Sequence, residues 1–329
     1  MIISRTPLRI SFAGGGSDLP SYYEQSPGAV LSTAISKYIY ITVNRKFDSK
    51  IRASYSVTEN VDELGSLRHN LIREALRRVG VEAGIEISSI SDIPSSGTGM
   101  GSSSSFTVGM LNALHAYTGL HAGAERLARE ACHIEIDTCG KPIGVQDQYI
   151  AAYGGLQFIT FSRDSGVKVE PVLCRPEVRR AFAERLLLLY TGRTRSADSI
   201  LQTQNENTAT RQDTRSRLGY MVQVAHTMRA RLEAGDLDGV GDALDAGWRL
   251  KREVAEGITD PVIDGWYETA RAAGARGGKL LGAGGGGFLL VMAEPELHPR
   301  IIAALPTLRA IPFAFEPHGS RIIYVEEEV

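Results

Sequence analysis

The sequence contains few of the features that mark secreted or membrane proteins. Only three cysteines occur, Cys132, Cys139 and Cys174, and none belongs to a Cys-x-x-Cys pair. Because these thiols form no paired framework, a reducing compartment is expected. The N-terminus lacks the apolar core of a signal peptide, and no apolar run approaches the roughly 20 residues that cross a bilayer. We therefore expect a cytoplasmic protein without a membrane partner.

A surplus of charge of either sign is also missing. The chain has 36 lysines and arginines against 38 aspartates and glutamates, which gives a net charge of −2. No basic field is therefore available to attract nucleic acid. The length of 329 residues and the hydrophobic fraction of 43% are typical of a globular protein with about two domains. The oligomeric state is left open, a homodimer included.

Strand-like and helix-like segments occur in blocks and do not alternate strictly. This pattern predicts an α+β fold in place of a doubly wound sheet. We predict two domains, residues 1–175 and residues 176–329. The predicted strands are 8–13, 38–45, 50–55, 85–90, 155–161, 167–172, 186–190, 288–292, 311–315 and 321–325. The predicted helices are 67–79, 102–117, 122–137, 196–217, 218–234, 237–253 and 261–273.

No Walker A pattern occurs, yet a loop rich in glycine and serine lies between a predicted strand and a predicted helix, at residues 93–105. Glycines accept positive φ and let the backbone approach a phosphate. The N-terminus of the following helix offers unpaired N–H groups and the positive end of the dipole. A flexible linker is the alternative interpretation. The candidate ligands of nucleotide phosphates are Pro94, Ser96, Gly97, Gly99, Met100, Gly101, Ser102, Ser103 and Ser104.

Two further glycine clusters flank this loop along the chain. The first is residues 14–16, followed by Ser17 and Asp18, where a simple turn with Asp18 as a helix N-cap is the alternative. The second lies within residues 278–288 and matches GxGxxG. Those glycines precede an apolar, strand-like run, and no acidic residue stands about 20 positions further on, so a Rossmann site is excluded.

Taken in order, the three glycine segments resemble the three motifs of the GHMP kinases, the family of galactokinase, homoserine kinase, mevalonate kinase and phosphomevalonate kinase. The central loop is similar to the second motif, with Met100 in place of leucine. The last cluster, from Lys279, is similar to Lys-x-x-Gly-Ala-Gly-x-Gly-Gly. The resemblance implies a two-domain α+β GHMP kinase fold, with a left-handed β-α-β unit in the first domain and a ferredoxin-like second domain. ATP and Mg²⁺ are the implied cofactors.

The resemblance also assigns the residues of phosphoryl transfer. Asp147 is similar to the catalytic Asp that accepts or orients the proton of the acceptor hydroxyl, and Arg9 assists at the same centre. Glu135, with Ser103 or its neighbour Ser102, is similar to the metal ligands, since Mg²⁺ prefers hard oxygen donors. From the residues alone, Asp137 competes with Glu135, and Asp147 is also a plausible helix N-cap.

The segment 14–18 distinguishes among the sugar kinases of the family. Galactokinases carry Gly-Glu-His-Thr-Asp where this chain has Gly14-Gly15-Gly16-Ser17-Asp18, so galactose is disfavoured. Together with Asp147 and Gln148, the segment resembles the branch that acts on heptose 7-phosphate and fucose. The implied reaction is phosphorylation of the anomeric hydroxyl of D-glycero-D-manno-heptose 7-phosphate, for nucleotide-activated heptose synthesis. A kinase for free fucose or galactose, and a non-catalytic nucleotide and sugar sensor on the same fold, are the alternatives.

A phosphorylated acceptor requires a second anion site. The segment 191–197 supplies two arginines where a predicted strand leads into a predicted helix, a suitable setting for phosphate, although surface ion pairs are the competing interpretation. Lys141 and Lys279 are weaker candidates. The predicted substrate ligands are Gly14, Gly15, Gly16, Ser17, Asp18, Gln148, Arg193, Arg195, Gly284 and Gly285.

Overall fold

The computed structural model describes residues 1–94, 97–194 and 197–326. The strands are β1 (Ile2–Ala13), β2 (Gly28–Arg45), β3 (Ile51–Ser54), β4 (Thr58–Val61), β5 (Ile85–Ser91), β6 (Leu156–Ser162), β7 (Gly166–Pro171), β8 (Leu186–Tyr190), β9 (Gly277–Leu280), β10 (Phe288–Met292), β11 (Arg309–Ala310) and β12 (Arg321–Val325). The helices are α1 (Pro20–Tyr23), α2 (Asn70–Val79), α3 (Ser102–Tyr117), α4 (Ala124–Cys132), α5 (Gln146–Tyr153), α6 (Pro176–Glu184), α7 (Ala197–Thr210), α8 (Gln212–Ala234), α9 (Leu237–Arg252), α10 (Pro261–Ala272) and α11 (His298–Ala304).

The larger sheet is built around the long strand β2. The sheet follows the path β12-β1-β2-β5-β3-β4. Its pair β3–β5 is parallel, and the connection between these two strands contains β4 and α2. The first residues of β2 also pair with β6, which continues into β7. Alternate residues of β2 from Ile39 to Val43 are buried, which is the period of a strand with one covered face. Helix α3 covers β1 and β2 and is buried along most of its length, so its N-terminus is held firmly.

A smaller antiparallel sheet, β11-β8-β10-β9, is formed by the second half of the chain. Its central strands, β8 and β10, consist almost entirely of apolar residues and are almost wholly buried. The last strand does not belong to this sheet. β12 pairs antiparallel with β1, Ile2 opposite Val325, and so returns to the first sheet. Residues 176–329 are therefore not a self-contained unit, and the boundary near residue 175 stays a prediction.

The mixed helix and sheet architecture confirms the predicted α+β fold, with local differences. Helix α4 ends at Cys132 and the chain continues as a π-helix over His133–Thr138, where one helix was predicted. The break between α7 and α8 falls at Arg211, whose backbone is extended, and not at residue 217. Residues 311–315 were wrongly predicted as a strand: β11 precedes them, and only Phe315 makes a bridge, to Ile35. No helix within the described residues is long and apolar enough to cross a bilayer.

The central and third glycine clusters pack backbone against backbone. Gly99 and Gly282 both have positive φ, +71° and +73°. A Cβ on Gly282 would overlap the Cα of Gly99, and a Cβ on Gly287 would overlap the carbonyl of Thr98. Side chains at these positions would separate the two loops. The glycines are therefore required by the tertiary contact as well as by the turns themselves.

We expect Gly282→Ala to destabilise the protein more than Gly119→Ala. Both positions have positive φ, which costs a residue with a Cβ about 1–2 kcal/mol. Gly119, at +77°, faces open space, whereas Gly282 faces the backbone of Gly99. Urea unfolding of both variants measures the two losses, and equal losses would show that the close contact contributes nothing.

Candidate active site

Arg9 and Asp147 form a two-point ion pair at the centre of the cleft. The Nε and Nη2 atoms of Arg9 donate to Oδ1 and Oδ2 of Asp147, each over 2.6 Å. The remaining Nη1 donates to the carbonyl of Gly99 over 2.5 Å. Arg9 is buried on β1, whereas Asp147, in the first turn of α5, keeps about a fifth of its side chain accessible (21%). The guanidinium thereby fixes the orientation of a carboxylate that a ligand can still reach.

The glycine and serine loop forms one wall of a cavity beside this pair. Gly101, with φ of +73°, is the N-cap of α3, so the first N–H groups of a buried helix open towards the cavity. The predicted phosphate ligands that line the cavity are Gly97, Gly99, Met100, Gly101, Ser102, Ser103 and Ser104. Pro94 is exposed and does not line it, and Ser96 lies outside the described residues.

A buried carboxylate lies beside the first turn of α3. Glu135 is fully buried on the π-helix, and its Oε1 accepts from Ser103 Oγ over 2.5 Å. The ammonium of Lys141 lies 2.5 Å from Ser103 Oγ and 3.3 Å from Glu135 Oε1. A hydroxyl and a carboxylate thus converge on a cation, and hard oxygen donors of this kind fit Mg²⁺. The rival acid Asp137 is two-thirds exposed and pairs with His133, away from the cavity.

Gln148 was predicted as a substrate ligand, but its side chain is directed at Glu135. Its Nε2 donates to Oε2 of Glu135 over 2.8 Å, so it supports the buried carboxylate. On α5, the glutamine that lines the substrate side is Gln146, two residues earlier. The hydroxyl of Ser102, the alternative metal ligand, lies 3.3 Å from that of Thr98, whereas the hydroxyl of Ser103 contacts Glu135.

A second cavity lies on the other side of the Arg9–Asp147 pair. Asp18 is buried in its wall and accepts from the backbone N–H groups of Gly16 (2.8 Å) and Gln146 (3.3 Å). Burial raises the pKa of Asp18, while these hydrogen bonds favour its charged form. The cavity lining consists of Arg9, Ser11, Gly15, Gly16, Asp18, Leu19, Gly144, Gln146, Asp147, Leu201, Gln204, Lys251, Lys279, Gly282 and Ala283.

Two buried lysines contribute to this second cavity. Lys279 donates to the carbonyl oxygens of Ser11 (2.8 Å) and Phe12 (3.3 Å). Lys251 donates to Oε1 of Gln204 over 2.7 Å. Burial lowers the pKa of Lys251 to about 8 and, with added repulsion from Lys251 and Arg9, the pKa of Lys279 to about 7. Three basic side chains, Arg9, Lys251 and Lys279, and two carboxylates, Asp18 and Asp147, therefore line one cavity.

Several buried polar atoms around the second cavity have no hydrogen-bond partner among the described residues. They are Ser11 Oγ, Gln146 Oε1 and Gln204 Nε2, and all three residues line the cavity. Buried polar atoms are nearly always paired. Donors and acceptors of both kinds are thus available to a ligand that carries several hydroxyl groups.

The remaining predicted substrate residues do not line either cavity. Gly14 and Ser17 shape the loop, since Ser17 Oγ donates to the carbonyls of Gly14 (2.8 Å) and Ala29 (3.1 Å). Gly284 and Gly285 pack on Ile258, whose carbonyl accepts from the N–H of Gly285 over 3.0 Å. Within the third motif, Gly282 and Ala283 reach the cavities in their place.

Arg193 also fails to reach the substrate cavity. It forms a two-point ion pair with Asp260, at 2.7 and 3.3 Å, in which Asp260 also caps α10. The competing interpretation of this segment, a surface ion pair, therefore applies to Arg193. Arg195 lies outside the described residues. Residues 191–194 thus provide no second anion site in the cleft.

A further pocket, which no sequence pattern indicated, continues from Ser102 and Ser103. Its walls include Tyr55, His69 and Phe106, with ring centroids 4.5 Å apart for Tyr55–His69 and 5.2 Å apart for His69–Phe106. These aromatic residues come from three distant segments without a shared pattern. Flat apolar walls next to a phosphate cradle suit the base of a nucleotide.

Comparisons with known proteins agree with this architecture. The family description "GHMP kinases N terminal domain" matches residues 69–155, and "GHMP kinases C terminal" matches residues 228–308. Together they span about half of the chain, and the first includes the glycine loop, Glu135 and Asp147.

The chain belongs to the GHMP kinases.

Individual GHMP kinases match over nearly the whole chain. A D-glycero-alpha-D-manno-heptose 7-phosphate kinase of Campylobacter jejuni is 29% identical over 92% of this chain and 93% of its own length. The bifunctional fucokinase/GDP-fucose pyrophosphorylase of Arabidopsis thaliana is 25% identical over 88% of this chain, which corresponds to 29% of that larger protein. The structure of a D-glycero-D-manno-heptose 1-phosphate kinase from Bacteroides thetaiotaomicron superposes with a TM-score of 0.82, covering 99% of this chain and 100% of that one. Its identity is 24%, so it shows the shared fold.

We predict that the buried charge of Lys251 makes the stability difference between the wild type and Lys251→Met depend on pH. The pKa of about 8 in the folded protein lies below that of an unfolded lysine, so between pH 8 and 10.5 the unfolded wild type binds more protons. Wild-type stability should therefore rise relative to the variant by up to about 3 kcal/mol across this window.

Urea unfolding of the wild type and of Lys251→Met at pH 7 and pH 10 measures this change. Methionine retains most of the side-chain volume without the charge, so the comparison isolates the ammonium group. A stability difference that is the same at both pH values would contradict the buried-charge assignment.

Proposed function

We propose that this GHMP kinase transfers the γ-phosphoryl group of ATP to the anomeric hydroxyl of a sugar phosphate, specifically D-glycero-D-manno-heptose 7-phosphate. One observation carries the proposal. The two cavities share a boundary that includes Arg9, Asp147, Gly282 and Ala283. A nucleotide on the side of the glycine loop and an acceptor on the side of Asp18 would therefore meet at Asp147.

On the nucleotide side, the N–H groups at the start of α3 and the glycine backbone would bind the phosphate oxygens. Ser103 and Glu135 would hold Mg²⁺, which neutralises phosphate charge when bound. Lys141 lines this cavity and the aromatic pocket, and so supplies the lysine that the loop itself lacks. The aromatic pocket would receive the adenine base.

On the acceptor side, Asp147 would accept the proton of the attacking hydroxyl. Both of its oxygens accept hydrogen bonds from Arg9, so the carboxylate is fixed in position and angle. Arg9 also places positive charge where negative charge develops as the phosphoryl group moves. Reaction then depends mainly on alignment of two bound substrates.

The acceptor assignment is supported by the wall opposite Asp147. Asp18 and the unpaired atoms of Ser11 and Gln146 are suited to sugar hydroxyls. The cavity contains more basic than acidic side chains, and an anionic group on the acceptor would stabilise the protonated form of its two buried lysines. The heptose 7-phosphate kinase of Campylobacter jejuni, similar along nearly the whole chain, supports the choice of sugar.

We expect the purified enzyme to phosphorylate D-glycero-D-manno-heptose 7-phosphate with a higher kcat/KM than unphosphorylated heptose, L-fucose or D-galactose. The physical reason is the pair of buried lysines in the acceptor cavity, which an uncharged sugar leaves without a counter-charge. ADP release with each acceptor, and NMR of the phosphorylated carbon, provide the measurement. A preference for L-fucose or D-galactose would refute the acceptor assignment but retain the kinase.

We expect Asp147→Asn to retain ATP binding and lose turnover by roughly 100-fold or more, because the amide cannot accept the proton. Asp137→Asn is the matched control, since Asp137 is exposed and outside both cavities. Calorimetry with a nonhydrolysable ATP analogue tests binding, and initial rates test turnover. A wild-type kcat for Asp147→Asn would contradict the assignment of Asp147 as the group that accepts the proton.

A further inference from the structure

The acceptor cavity contains a buried cation without a carboxylate partner. Lys251, in the last turn of α9, makes one hydrogen bond, to Gln204, although an ammonium group can donate three. Within the described residues, no carboxylate lies at ion-pair distance from it. Asp18 raises the pKa of Lys251, but burial has the larger effect and lowers it. A buried charge left unpaired is costly, and a neutral side chain of similar volume would usually be more stable.

Gln204 provides a second unsatisfied group at the same place. Its Oε1 accepts from Lys251, which turns the amide so that Nε2 lies beside Gly16. This Nε2 is buried and has no partner among the described residues. A side chain at Gly16 would overlap it, so the glycine leaves the space in which the amide lies. Two donors, one charged and one neutral, therefore face the cavity together.

We propose that Lys251 and Gln204 bind the phosphate group that the acceptor already carries. This inference rests on the proposed function and assigns that phosphate to α7 and α9, on the side of Asp18 and Gly16. Phosphate oxygens accept hydrogen bonds from both donors, and the dianion neutralises the buried ammonium. Lys279 is less suited, because two backbone carbonyls already engage its ammonium group. Arg193, the other basic candidate, is engaged by Asp260.

The test compares heptose 7-phosphate with unphosphorylated heptose in the wild type and in Lys251→Met. We expect the KM for heptose 7-phosphate to rise by roughly 10- to 100-fold, as for a lost hydrogen bond to a charged group. The KM for ATP and the KM for heptose should stay within about twofold. Heptose carries no phosphate, and the phosphates of ATP would bind in the other cavity, beside the glycine loop. Lys251→Arg keeps the charge and should restore part of the affinity.

Gln204→Glu is the second variant, because it keeps the shape of the side chain but places a carboxylate against Lys251. It should raise the KM for heptose 7-phosphate by a larger factor than the KM for heptose, because only the phosphorylated sugar places an anion against the new carboxylate. Arg193→Met is the matched control and should change neither. A structural role for Lys251 predicts a lower Tm for Lys251→Met, whereas a ligand-binding role predicts an equal or higher Tm.

The outcomes separate the two proposals. A wild-type enzyme that prefers the unphosphorylated heptose refutes the proposed function. A wild-type enzyme that prefers heptose 7-phosphate, while Lys251→Met retains its KM, overturns only the assignment of this subsite. An increase in KM with Arg193→Met in place of Lys251→Met would move the phosphate to residues 191–194.

Discussion

The ion pair between Arg9 and Asp147 is the contact on which the geometry of the cleft depends. Arg9 connects three segments that are distant in sequence: its own strand, the glycine loop through Gly99, and α5 through Asp147. The planar guanidinium sets both the angle and the position of the carboxylate, which a single point charge would leave free to rotate. Because both cavities share this pair, a shift of β1 against α5 would misalign nucleotide and acceptor together.

The cavity walls consist largely of backbone because two glycine loops are in contact. Gly99 and Gly282 approach so closely that neither position has space for a Cβ. A wall of this kind lets backbone N–H groups approach a ligand closely, which suits the oxygen-rich surface of a triphosphate. The specific side chains around it, Lys141 and Glu135, come from the segment before α5. Loop packing and charge placement are thus supplied by separate parts of the chain.

Charged groups are buried on both sides of the Arg9–Asp147 pair, and their desolvation lowers the stability of the folded protein. Asp18, Glu135, Lys251 and Lys279 are each less than a tenth exposed. Desolvation of such groups costs several kcal/mol each before pairing offsets it. Glu135 has three partners and Asp18 has two, whereas Lys251 has one. A site whose polar groups are fixed in position before ligands arrive reduces the reorganisation needed during the reaction, at the expense of stability.

Local sequence was sufficient for the glycine turns, the helix that follows the central loop, and the strands with clear apolar patterns, because each depends on neighbouring residues. It did not decide between acids or amides two positions apart on a helical segment. Glu135 and Asp137, like Gln146 and Gln148, project in different directions, about 200° apart for an α-helix. Which member faces inward depends on how that segment packs: α5 turns Gln146 towards the acceptor cavity, and the π-helix turns Glu135 towards Ser103. The motif at residues 14–18 indicated Gly15, Gly16 and Asp18 as part of the acceptor wall. No sequence pattern indicated Gln204 and Lys251, since they belong to separate helices that only the tertiary structure brings together.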